Sequence, residues 1–122
     1  MTTTRLDVRV RERGDVGIID LAGDIDSGAD SALEAVYAQA AQAGARAILL
    51  NFAQVGYVNS TGIALIVGLL AKARRDRVAV RCTGLSDHYR EIFEITRLAD
   101  FMELYPDEES AVAVARTAEQ GR

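Results

Sequence analysis

The sequence predicts an α/β fold: a mixed β-sheet of about five strands, with about four to five helices packed mainly on one side. Three observations lead there. After Leu21, short apolar runs of strand length alternate with longer stretches of helical period. The run Ala45 to Phe52 is largely apolar yet too short to cross a membrane, so it reads as a strand buried in the sheet. The run Ile63 to Ala73 is apolar on nearly all sides, too long for a typical strand and rich in Ala and Leu. It reads as a buried helix.

The elements follow in order. Leu6, Val8 and Val10 alternate with Asp7, Arg9 and Arg11, the period of a half-buried strand. Glu12 to Asp15 is a turn, and Val16 to Leu21 is the second strand of a hairpin that supplies a sheet edge. Ala22 to Gly28 reads as a loop. Ser27 is the expected N-cap of the first helix, whose inner face carries Leu33, Val36, Tyr37, Ala40 and Ala41 and which ends at Gly44. The buried strand follows, then a loop from Ala53 to Val58. The buried helix opens at Asn59 or Ser60, either of which can cap it, with Val58 and Ile63 at the hydrophobic-staple positions. Val78 to Cys82 is a strand, Asp87 to Ile95 a helix with Tyr89, Ile92 and Phe93 inward, and Phe101 to Tyr105 a short last strand. Pro106 and Asp107 open a final helix to about Ala118, with Val112 and Ala115 inward and acids in its first turn.

Composition narrows the function. The 122 residues suit one domain, spanning 1–122, and 49% hydrophobic content suits a packed core. A net charge of −4 argues against a nucleic-acid binder. The basic cluster Arg74, Arg75 and Arg77, interrupted by Asp76, fits a helix C-terminus. One cysteine, Cys82, allows no internal disulfide and points to a reducing, cytoplasmic setting. One cysteine and one histidine, His88, make a zinc site implausible. No signal peptide or membrane segment is expected, and no cofactor.

Catalytic readings find little support. Ser60 on a strand-to-helix turn is reminiscent of a hydrolase nucleophile, but Val58 stands where the nucleophile elbow needs glycine. His88 reads as a solvated helix residue. No phosphate-cradling glycine pattern occurs. Asp24, Asp26 and Asp30 suggest cation ligands only loosely, because the calcium-loop glycine is misplaced. Asn59-Ser60-Thr61-Gly62 remains. Its plain reading is a helix cap. Its functional reading is a phospho-acceptor, since a phosphate there meets free N–H groups and the positive end of the helix dipole.

The chain resembles the STAS family of bacterial anti-sigma factor antagonists. The likeness rests on Gly23-Asp24-Ile25-Asp26 and on Val55 to Leu65, with further matches at Gly84-Leu85-Ser86, Ile92-Phe93, Thr96, Leu98 and Asp107 to Ala111. It implies a STAS-like sheet and a switch protein that is not an enzyme. By this resemblance Ser60 is the residue phosphorylated by an anti-sigma factor serine kinase, and a PP2C-type phosphatase resets it. Asp24, Asp26, Asn59, Thr61 and Gly62 then belong to the partner-binding surface beside Ser60. The alternative is a scaffold, never phosphorylated, in a stress-signalling or lipid-transport complex. Two departures stand out. The family's Asp is Asn59 here, which removes a negative charge beside the acceptor. Many relatives carry glycine where this chain has Arg97, so the turn there is expected to differ.

Overall fold

A computed structural model of the chain describes residues 5–113. The strands are β1 (Asp7–Arg13), β2 (Val16–Ile25), β3 (Ala47–Val58), β4 (Ala79–Thr83) and β5 (Glu103–Tyr105). The helices are α1 (Asp30–Gln42), α2 (Ser60–Arg75) and α3 (Asp87–Ile95). A fourth, α4, is described over residues 108–113. The sheet order is β1-β2-β3-β4-β5. β1 pairs antiparallel with β2 as a hairpin at the edge, and the remaining neighbours are parallel. The predicted mixed sheet is therefore the observed one.

Alternation within the strands builds two apolar layers. Ile19, Leu50 and Cys82 face the main core, with Leu33 and Tyr37 of α1, Leu69 and Leu70 of α2, and Phe93 of α3. Phe52 and Phe93 meet edge to face, ring centroids 5.8 Å apart. Their neighbours in the strands, Ile18 and Leu49, face the opposite side and pack against Ala111 and Val112 of α4. Three helices thus cover one face and α4 part of the other. Asp107 caps α4 by accepting the Ser110 N–H at 2.8 Å. Arg11 ties this face together, bonding Asp20 at 2.6 Å and Glu108 at 2.8 Å. The continuation of α4 to Ala118, with Ala115 inward, lies outside the described residues.

The structure corrects several boundaries. β2 runs to Ile25, through residues read as a loop, and β3 runs to Val58 through another. The two extensions pair with each other, with register irregularities between Asp20 and Ala22 and between Gly23 and Asp24. Gly23 takes φ 116°, and a Cβ there would lie 2.5 Å from the Arg5 carbonyl oxygen. Ser27 is not a cap. A 3₁₀ turn, Ser27–Ala29, precedes α1, and Asp26 caps that turn by accepting the Gly28 N–H at 2.9 Å. Phe101 ends a second 3₁₀ turn rather than opening β5.

The helix ends follow one pattern. After α1, Gly44 donates to Ala41 and Ala45 to Ala40, the paired bonds of a left-handed C-terminal closure. α2 closes the same way through Arg77 at φ 60°. After α3, Arg97 adopts φ 68°. The turn there keeps the backbone shape that glycine would supply, so the departure at Arg97 falls on the side chain. Among the described residues no helix is long and apolar enough to cross a membrane.

Candidate functional site

The site forms where β2 and β3 end and α2 begins. Parallel pairing sets Asp24 beside Tyr57 and Ile25 beside Val58. The chain then turns at Asn59, whose N–H donates to the Ile25 carbonyl at 3.2 Å. Asn59 has extended backbone angles and is the N-cap of α2; its Oδ1 accepts the Gly62 N–H at 2.8 Å. Asn and Asp serve about equally as caps. Asn59, standing where the resemblance expects Asp, therefore leaves the local geometry served and alters the charge.

Gly62 is buried against the end of β2. A Cβ there would sit 2.0 Å from the Ile25 carbonyl oxygen. The missing side chain lets α2 start directly against the sheet. Val58 is held from the other side, its N–H donating to the Tyr89 hydroxyl of α3 at 2.9 Å. The turn from Val58 to Gly62 is therefore fixed to β2 through Ile25 and to α3 through Tyr89.

Ser60 is the first residue of α2, and it and Thr61 are exposed. Because Asn59 supplies the cap, the Ser60 hydroxyl is not needed for it. Ser60 and Thr61 are the first two positions of the helix, and their N–H groups have no acceptor within it. Those donors and the helix dipole offer an anion a favourable place.

All six residues singled out in the sequence meet at this end of the sheet, with different local roles. Asn59 and Asp26 cap, and Gly62 permits close packing. Asp24 is half-buried and faces β3 near Gly56, where a Cβ would come 3.7 Å from its Oδ1. Ser60 and Thr61 face solvent. Two residues escaped sequence reasoning. Tyr57, 49% exposed, stands beside Asp24 at the rim. Tyr89 reads from sequence only as an inward helix residue, and its bond to Val58 depends on tertiary placement. Among the described residues no cluster of His, Cys, Asp or Glu could hold a metal ion. His88 is exposed on α3 with its ring against Tyr89.

The model of the STAS domain family matches residues 7–111. An anti-sigma-B factor antagonist of Staphylococcus aureus is 34% identical over 84 residues, covering 69% of this chain and 78% of that protein. One of Staphylococcus epidermidis is 31% identical over the same shares. Among solved structures, an anti-sigma factor antagonist from Mycobacterium paratuberculosis superposes with a TM-score of 0.77 at 19% identity, covering 91% of this chain and 94% of that one. The Bacillus protein SpoIIAA in its phosphorylated form gives a TM-score of 0.68 at 21% identity, covering 88% and 99%. These two superpositions speak for the fold.

Proposed function

The chain belongs to the STAS domain family, and on that premise we propose that it is an anti-sigma factor antagonist switched by phosphorylation of Ser60. Unphosphorylated, it binds an anti-sigma factor and so frees a sigma factor. That partner is a serine kinase, and a PP2C-type phosphatase restores the free hydroxyl. The chain acts in the cytoplasm, as one domain and as a regulator rather than an enzyme.

One observation carries this reading: Ser60 is exposed at the first position of α2 while Asn59 alone supplies the cap. The hydroxyl can be modified without removing a bond that holds the helix. In the transfer, Ser60 Oγ forms a bond to the γ-phosphorus of ATP as the bond to ADP breaks, and the hydroxyl proton passes to a base of the kinase. The product carries about −1.5 to −2 charges. Within the domain, the helix dipole and first-turn N–H groups offset part of that charge. At the kinase it faces the nucleotide's own phosphates, and like charges brought together at an interface weaken binding.

Asp24 flanks the acceptor from β2, and Thr61 extends the exposed polar surface along α2. Phosphopeptide mapping after incubation with the kinase and ATP tests the assignment. Phosphate on Ser60 is expected; phosphate on Thr61 with Ser60 unmodified would reverse it.

A further inference from the structure

Two glycines of α2 differ in a way that points to a second contact surface. Gly62 has an internal reason, its close approach to Ile25. Gly68 has none: a Cβ built there meets nothing within 4 Å. Glycine in a helix interior weakens the helix relative to alanine. Its missing side chain instead opens a groove of about 160 Å³ between α1 and α2.

The groove has an apolar floor, with Leu33 and Tyr37 from α1 and Leu69 from α2. Asp30 and Glu34 form its α1 rim, both exposed and four residues apart. Like charges at that spacing disfavour a helix. Among the described residues no ion pair joins either to a cation. Lys72 closes the far end, its ammonium 5.6 Å from the centre of the Tyr37 ring. Val67, 47% exposed, adjoins Gly68 in sequence. Thr61 and Gly68 are seven residues apart, so they share one helix face about 10 Å from each other. The groove therefore continues the acceptor surface down α2.

We infer that this groove receives an amphipathic helix of the anti-sigma factor, with an apolar side chain over Gly68 and Lys or Arg against Asp30 and Glu34. The inference rests on the antagonist reading above and deepens it. Charge complementarity selects the occupant, since two carboxylates with no ion pair among the described residues line an apolar groove. A helix laid in a groove with apolar anchors is a recurring mode of recognition. Gly68 lets the two helix backbones approach closely, and the rim acids set orientation and speed encounter.

The test is calorimetric titration of a recombinant anti-sigma factor kinase from the same genome against four forms of the full chain, with melting curves for each. These are the unmodified chain, Gly68→Ala, Gly68→Leu, and the double variant Asp30→Lys/Glu34→Lys. Gly68→Ala and Gly68→Leu should melt higher than the unmodified chain. Gly68→Leu should nevertheless bind at least tenfold more weakly, with Gly68→Ala between. The charge reversal should also bind at least tenfold more weakly and lose most of the salt dependence. A Gly68→Leu chain that melts higher and binds as the unmodified chain does would overturn the groove and leave the antagonist reading intact. An unmodified chain that fails to bind the kinase would overturn both.

Discussion

Gly62→Ala should destabilise the domain through one backbone collision. The added Cβ would lie 2.0 Å from the Ile25 carbonyl oxygen, 2.7 Å from its carbon and 3.1 Å from Cγ2 of that residue. Two of these are main-chain atoms in a buried strand, so no rotamer change relieves the contact. The first turn of α2 has to lift by roughly 1 Å to restore ordinary separation. That movement strains the bond from Asn59 N–H to Ile25, already 3.2 Å long. Overpacking costs about 1–3 kcal/mol, and a weakened backbone bond about 1 kcal/mol more. Alanine's better helix propensity returns at most about 1 kcal/mol. The expected net loss is about 2 kcal/mol, a melting point lower by roughly 6–12 °C. Urea denaturation and thermal melting, followed by circular dichroism, measure it. A variant as stable as the parent, or more so, would refute the close approach of α2 to β2.

Further outcomes follow from the helix ends, the back face and the core. Arg97 holds φ 68° and pairs with Asp100 in a largely exposed bridge. Such bridges contribute little, so Arg97→Gly should raise stability by about 0.5–1 kcal/mol; an unchanged or lower melting point would contradict this. Arg11 lowers the pKa of Asp20 and of Glu108, through direct hydrogen bonds in both cases. Carboxylates held lower in the folded state stabilise it above their unfolded values, so this contribution is complete above about pH 5 and fades as pH falls. Glu108→Gln should flatten the decline of urea midpoints below that pH, and an unaltered slope would count against the bridge. Burial pushes the Cys82 thiol up to about 12. It should resist iodoacetamide at pH 8 until urea unfolds the chain, whereas labelling of the folded protein would contradict its enclosure.

Much of this architecture was legible in the sequence because the signals were local. Leu33, Val36, Tyr37 and Ala40 repeat at helical spacing, and all are buried on α1. Ile48, Leu49 and Leu50 form a continuous apolar run because the sheet is covered on both faces. The ends of β2 and β3 were not legible. Ala22 to Ile25 lies in a stretch with the composition of a turn, and its strand geometry comes from pairing with residues more than thirty positions away. Beyond the packed core β3 exposes Gln54, Gly56 and Tyr57, so apolar alternation fades where pairing continues.

The candidate site was legible for a different reason. A cap and a close-packing glycine leave fixed residue types at fixed spacing, which is what Asn59 and Gly62 provide. Choosing Asn59 over Ser60 as the cap took the bond from Gly62 N–H. Tyr57, Tyr89 and the groove at Gly68 depend on contacts or exposure that no local pattern encodes.

On the proposed function, Ser60 governs partner binding through charge and leaves the fold unchanged. Calorimetric titration of the kinase against the unmodified chain, the phosphorylated chain and Ser60→Ala tests it most directly. Tight, similar binding is expected for the unmodified chain and Ser60→Ala. Phosphorylation should weaken binding about hundredfold, a penalty of about 3 kcal/mol, with all three forms melting within a few degrees because Asn59 keeps the cap. Equal affinity in the three forms would contradict it and leave an unswitched scaffold as the reading.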